Sequence, residues 1–242
     1  MPFHDSLPVA LITGASRGIG AATARRFASA GYDLRLIARS AEQLDSLAAE
    51  LRPGGSHVET CPLDLCDSAA IAPAITDLCA RGPLPEVVIN NAGAAWTGPL
   101  AAMPLERWQW LMQLNLTSVF QVCQAVLPAL RRAGGGLIIN VSSHAAHNAF
   151  SDWGAYCTSK AALVSFSRCL AAEEREHGIR VSTLTLGSVN TPLWDSETVA
   201  SCFDRHAMLA PEQVAESLLF LARQPRSQTV EDLTLMPAAG AF

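Results

Sequence analysis

Short β-type runs alternate with longer helical patterns along most of this 242-residue chain, and that alternation narrows the possible folds more than any other feature. Strands are expected at Pro8–Thr13, Asp33–Ala38, His57–Cys61, Val87–Asn90, Leu137–Ser142, Arg180–Leu186 and Leu233–Met236. Helical patterns separate them at Gly18–Ala30, Ala41–Leu51, Ser68–Ala80 and Leu105–Arg132, then from about Tyr156 to Glu176, and at Glu212–Ala222. A helix between two strands carries the chain back to the edge it left, so the strands run parallel. Right-handed crossovers then place helices on both faces. The pattern predicts one α/β domain over residues 1–242: a doubly wound parallel sheet of about seven strands.

Composition excludes several classes of function. Half of the residues are hydrophobic and 16% are charged, enough apolar surface for a sizeable core. The net charge is −5, and the 17 basic residues form no dense run, so nucleic acid is not an expected partner. No apolar stretch approaches the length needed to cross a bilayer, and none is expected to meet a membrane. Met1–Pro8 has neither the basic nor the apolar part of a signal peptide, which leads us to expect a cytoplasmic protein. The seven cysteines (61, 66, 79, 123, 157, 169 and 202) show no CxxC pair and no ligand-like spacing to histidine. Most of them read as small buried hydrophobes, and no metal site is expected.

Thr13-Gly14-Ala15-Ser16-Arg17-Gly18-Ile19-Gly20 lies between the first strand and the first helix. Glycines there let backbone approach a pyrophosphate, whose charge is met by free N–H groups at the helix start. Farther on, Tyr156 and Lys160 stand one helical turn apart. As an exposed pair they would be worth only about 0.3 kcal/mol. An ammonium about 5 Å from a phenolate, at an effective dielectric near 20, contributes roughly 3 kcal/mol, or about two pKa units. Burial opposes this, and the expected balance brings the phenol close to neutrality, where a proton-transfer catalyst works best.

The TGxxxGxG turn, Asn90-Asn91-Ala92-Gly93 after the fourth strand, Ser143 thirteen residues before Tyr156, and Tyr156-xxx-Lys160 together resemble the short-chain dehydrogenase/reductase family. The resemblance implies a Rossmann-like fold and an oxidoreductase moving a hydride between NADP(H) and a carbonyl or secondary alcohol. It makes Tyr156 the general acid/base. Lys160 would lower the tyrosine pKa and hold the nicotinamide ribose, Ser143 would donate to the substrate oxygen, and Asn115 would hold a water linking Lys160 to solvent. The cofactor contacts it implies are Gly14, Ser16, Arg17, Gly18, Ile19 and Gly20 in the turn, with Asn91, Ala92 and Gly93 opposite. Asp64 and Leu65 would meet the adenine, although Asp64 also reads as a helix cap. Leu186-Gly187-Ser188-Val189-Asn190-Thr191-Pro192 resembles the family's PGxVxTP with leucine for the usual first proline. Val189 and Thr191 would then contact the nicotinamide carboxamide.

The second strand ends in Ala38-Arg39, where an NAD enzyme usually has a carboxylate for the ribose 2′-hydroxyl. Arg39 and Arg17 could instead clamp a 2′-phosphate, which favours NADP over NAD. Substrate choice is expected in a loop at about 190–210 and in an apolar pocket drawn from Trp96, His144, Phe150, Trp153, Trp194 and Phe203. His144 and His147, with no acid partner in the sequence, read as pocket wall. Small apolar residues such as Ala161, Ala162, Val164 and Ala172 on the long helices, paired across a two-fold axis in relatives, imply a homodimer or homotetramer. The rival reading is a catalytically silent dinucleotide-sensing protein, in which the tyrosine–lysine pair would be damaged; here it is intact. An epimerase or dehydratase that recycles its cofactor is a second rival, and its relatives usually carry another glycine spacing.

Overall fold

β1 (Val9–Thr13) is buried along its whole length, as a strand covered by helices on both faces must be. The computed structural model of the chain describes residues 7–200 and 203–240. β2 (Asp33–Ala38) and β3 (Val58–Pro62) lie on one side of β1. β4 (Val87–Asn90), β5 (Gly136–Ser143), β6 (Ile179–Leu186) and β7 (Asp232–Leu235) follow on the other, giving a seven-stranded sheet in the order β3-β2-β1-β4-β5-β6-β7. All six pairings are parallel. The expected sheet is therefore present, with bounds shifted by one residue at β1, β3, β5, β6 and β7. The chain reverses its direction of travel across the sheet between β1 and β4. That opens a crevice at the carboxyl ends of the strands.

Alternate side chains of each strand feed two cores. Ala10, Ile12, Leu34 and Leu36 pack with α1 (Gly18–Ser29), α2 (Ala41–Leu51) and α7 (Pro211–Ala222). Leu11, Ile37, Val88 and Ile138 turn the other way, towards α3 (Ser68–Ala80), α5 (Ser118–Arg132) and α6 (Gly154–Glu174). Helices thus cover both faces.

The expected single helix Leu105–Arg132 is instead two, α4 (Leu105–Met112) and α5, joined by a π-turn at Gln113–Thr117. The expected irregular segment after residue 190 contains short 3-10 turns at Pro192–Asp195 and Arg205–Ala207, and a parallel bridge joins Val189 to Leu209. Residues 201 and 202 of that segment, including Cys202, lie outside the described residues. The other six cysteines are free thiols; burial pushes that of Cys123 up to about 12. On α6, Ala161 and Ala172 face outward, whereas Val164 turns into the protein. Phe120 of α5 is 46% exposed and meets Phe166 of α6 edge-on. Among the described residues no helix is long and apolar enough to cross a membrane.

Under the crevice, a buried polar chain fixes α6 to the sheet. Asn90 and Asn140 are in register on β4 and β5, and the Asn90 Nδ2 donates to Asn140 Oδ1 at 2.9 Å. The Asn140 Nδ2 then donates to Ser167 Oγ of α6 at 2.8 Å, and that hydroxyl donates to the Leu163 carbonyl. Buried amides left unpaired cost about 1–3 kcal/mol each. Asn140→Ala strands groups on both neighbours, so urea unfolding followed by circular dichroism should show a loss of roughly 2–4 kcal/mol. A loss below about 0.5 kcal/mol would mean that the chain does not hold α6.

Candidate active site

The glycine turn is shaped by how closely two strand ends approach. Gly14 has φ +65°, and a Cβ there would lie 2.8 Å from the Ala92 Cα. A Cβ on Gly20 would lie 2.1 Å from the Gly14 carbonyl oxygen, so α1 can start here only with glycine. Gly20 supports the turn from beneath and is not part of the cleft wall. The Thr13 hydroxyl accepts the N–H groups of Asn91 and Ala92 at 3.0 and 3.1 Å. In return the Asn91 side-chain amide donates to the carbonyls of Thr13 and Gly14 at 3.0 and 3.3 Å. Two loops far apart in sequence become one rigid floor.

A cleft of about 820 Å³ runs over the carboxyl edge of the sheet. Strand order sets what lies where. Arg17, Arg39, Asp64 and Leu65 line it over β1 to β3. Gly14, Ser16, Gly18, Ile19 and Asn91 to Gly93 line the middle, and Ser143, Tyr156, Lys160, Val189 and Thr191 the part over β5 and β6. Asp67 caps α3 by accepting the Ala69 N–H, which frees Asp64 from that task. One Asp64 oxygen accepts the Cys66 N–H at 2.9 Å. Arg17 and Arg39 are exposed and make no ion pair among the described residues.

Tyr156 and Lys160 enter on the first turns of α6. Asp152, in the left-handed region at φ +65°, turns the chain into that helix, and its carbonyl accepts the Gly98 N–H. Lys160 is buried; its ammonium donates to the Val141 carbonyl at 2.9 Å and lies 5.9 Å from the Tyr156 ring centroid. Ser143 hydrogen-bonds Tyr156, and its oxygen accepts the Ala145 N–H at 3.2 Å. Ser142, the other serine at this strand end, points the opposite way and donates to the Lys160 carbonyl at 3.4 Å.

Asn115 is completely buried in the π-turn, beneath the cleft and not in its wall. Its Oδ1 accepts the Ala94 N–H at 2.9 Å, while its Nδ2 donates to the Ala94 carbonyl and to Ser159 Oγ. Both amide hydrogens are thereby committed. The side chain anchors the segment after Gly93 to α6.

Residues 8–200 match the family profile described as short chain dehydrogenase. The chain belongs to that family. D-threitol dehydrogenase of Mycolicibacterium smegmatis is 34% identical over 88% of this chain and 85% of its own length. A metagenomic short-chain oxidoreductase solved in complex with NADP is 35% identical, with a TM-score of 0.84 over 96% of this chain and 98% of that one. An alcohol dehydrogenase of the archaeon Thermococcus sibiricus, complexed with 5-hydroxy-NADP, is 30% identical, with a TM-score of 0.89 over 97% and 98%.

In this short-chain dehydrogenase the end of the cleft beside Tyr156 is walled by rings. Trp153 meets Tyr156 edge-on at 5.6 Å and Trp194 at 5.8 Å, and Trp194 meets Phe203 at 5.5 Å. His144 and Phe150 also line the cleft, with ring centroids 6.1 Å apart. Two expected wall residues are elsewhere: Trp96 packs over Gly98, and His147 is exposed on the surface. The periodicity of a loop cannot say which way such side chains face.

Arg205 was missed in the sequence, because no motif marks it. Its guanidinium donates to Asn190 Oδ1, Asp195 Oδ1 and the Thr191 carbonyl at 2.8–2.9 Å, fastening the segment after β6. Ser188 was also passed over: its buried hydroxyl at the cleft edge has no hydrogen-bond partner among the described residues. A bound ligand can satisfy it.

Electrostatically, the protein's own groups do not acidify the phenol as expected. Burial holds Tyr156 above its ordinary pKa, and the Ser143 hydrogen bond only partly opposes this. Burial lowers Lys160 from 10.5 to about 8. An unfolded lysine keeps its proton up to about 10.5, so between the two values the unfolded state binds more protons and stability rises with pH. Lys160→Met should lack that increment. Urea melts of wild type and variant below and above pH 8 test it, and parallel curves would contradict the buried-ammonium assignment.

Proposed function

We propose that this dehydrogenase transfers a hydride between NADP(H) and a carbonyl or secondary alcohol, with Tyr156 as general acid and base. One observation carries the reading: the Ser143–Tyr156–Lys160 group faces the same cleft as a glycine turn that no side chain could share. The residues present fit a dinucleotide. The turn offers bare backbone at the start of α1, Gly93 leaves open the approach to Lys160, and Ser188 has an unsatisfied hydroxyl. The bound nicotinamide supplies a hydride to the carbonyl carbon, or accepts one from the alcohol carbon in the reverse direction.

The chain's residues handle the oxygen. Tyr156 gives its proton to the carbonyl oxygen as that atom gains charge, and Ser143 donates a second hydrogen bond to it. Ala145, by donating to the Ser143 oxygen, turns the serine proton towards this task. Lys160 stabilises the resulting phenolate from below, with its ammonium held on the Val141 carbonyl. Val189 and Thr191 border the nicotinamide end, Asp64 and Leu65 the adenine end, and Asn115 keeps the floor between them in place. The intact catalytic group disfavours a silent sensor of the same cofactor.

NADP is preferred to NAD because two free guanidiniums, Arg17 and Arg39, border the adenine end, while Ala38 stands where a carboxylate would repel a phosphate. The NADP and 5-hydroxy-NADP complexes of similar proteins agree with this.

Screening NADPH oxidation against aldehydes and ketones should reveal turnover. Tyr156→Phe should lower kcat by at least about a hundredfold with little change in cofactor affinity. Activity that survives the change would refute the acid/base role. The double variant Ala38→Asp, Arg39→Leu should lose NADPH affinity by about tenfold or more and gain on NADH, since a charge-assisted contact is worth roughly 1.5–3 kcal/mol. Unchanged affinity for NADPH in fluorescence titration would remove the argument for NADP.

A further inference from the structure

We propose that the substrate end of the cleft is built for an uncharged, ring-bearing ketone or its secondary alcohol, in preference to amino acids, keto acids and sugars. This rests on the hydride-transfer reading of the same site and names its substrate class.

The first argument is the shape of the wall. Trp153, Trp194 and Phe203 continue outward from Tyr156, each ring 5.5–5.8 Å from the next. Trp194 donates its indole N–H to the Val189 carbonyl at 2.8 Å, so it offers the cleft a ring and no donor. Phe150 adds an apolar ring across from His144. Flat apolar ligands gain from such surfaces both by burial and by edge-to-face contact.

The second argument is charge. Among the described residues, Lys160 is the one ionic side chain lining the cleft near these rings, and its ammonium is directed at Val141. Asp195 and Arg205 are on the neighbouring segment but pair with each other at 2.9 Å, off the cleft wall. His144 is engaged by the Asn148 side chain at 2.9 Å. A substrate carboxylate or ammonium would therefore be desolvated without a partner. A polyol gains less: the Ser143 and Tyr156 hydroxyls serve the reacting oxygen, and beside the rings Ser151 and His144 are the further polar side chains of the wall.

Three probes with NADPH separate the possibilities: acetophenone, its para-carboxylate, and dihydroxyacetone. Wild type should show kcat/KM for acetophenone at least about a hundredfold above the other two, as an unpaired buried charge or several unpaired hydroxyls demand. Comparable or better turnover of the carboxylate or of dihydroxyacetone overturns the substrate class and leaves hydride transfer standing. Turnover of none of the three, with a wider carbonyl screen also silent, overturns hydride transfer itself. Trp194→Ala should lower kcat/KM for acetophenone roughly tenfold and that for dihydroxyacetone far less, whereas Trp194→Phe keeps the ring and most of the discrimination. If both variants lose discrimination alike, the Val189 hydrogen bond sets the pocket and the ring contact is refuted.

Discussion

Thr13 ends β1 with a hydroxyl that donates to the Ile89 carbonyl and accepts the N–H groups of Asn91 and Ala92. Through this one side chain the carboxyl ends of β1 and β4 are held together at the place where the sheet changes direction. Gly14 then passes so close to Ala92 that no Cβ fits between them. The ligand floor is a consequence of strand pairing, built largely from backbone that cannot relax without parting the sheet. Rigidity of this kind places dipoles before any ligand arrives.

Burial works in two directions where Tyr156 and Lys160 meet the cleft. It keeps the Tyr156 proton in place and weakens the hold of Lys160 on its own. The protein alone thus favours a neutral phenol above a cation that gives up its proton near pH 8. On the proposed reading, a positive charge brought beside them by the cofactor would oppose the effect of burial on the phenol.

Much of the fold was legible because it is written in local periodicity. Alternation of strand and helix, and glycines at a strand–helix junction, give sheet direction and ligand floor without tertiary knowledge. The departures come from features with no local pattern. The π-turn at Gln113–Thr117 adds residues to a helical turn while leaving its apolar stripe nearly continuous, so it reads as unbroken helix. Asn115 is poised by the backbone of Ala94, 21 residues earlier, a partner only the folded chain supplies. Trp96 and His147 looked like equals of Trp153 and His144, yet the turn of the backbone sends them elsewhere. The sign of the tyrosine shift depended on how deeply burial outweighs a nearby cation, which spacing does not tell.

The two ends of the cleft are made differently. The end over β1 to β4 rests on strand backbone and interlocked glycines, while the aromatic end comes from short turns fastened by Arg205, the Val189–Leu209 bridge and the contact of Thr97 with Thr198 and Ala200. Residues such as Trp194 and Phe203 can be exchanged without touching the floor. Such a scaffold separates what must be inherited unaltered from what is free to diverge, so new specificities can arise on it one side chain at a time.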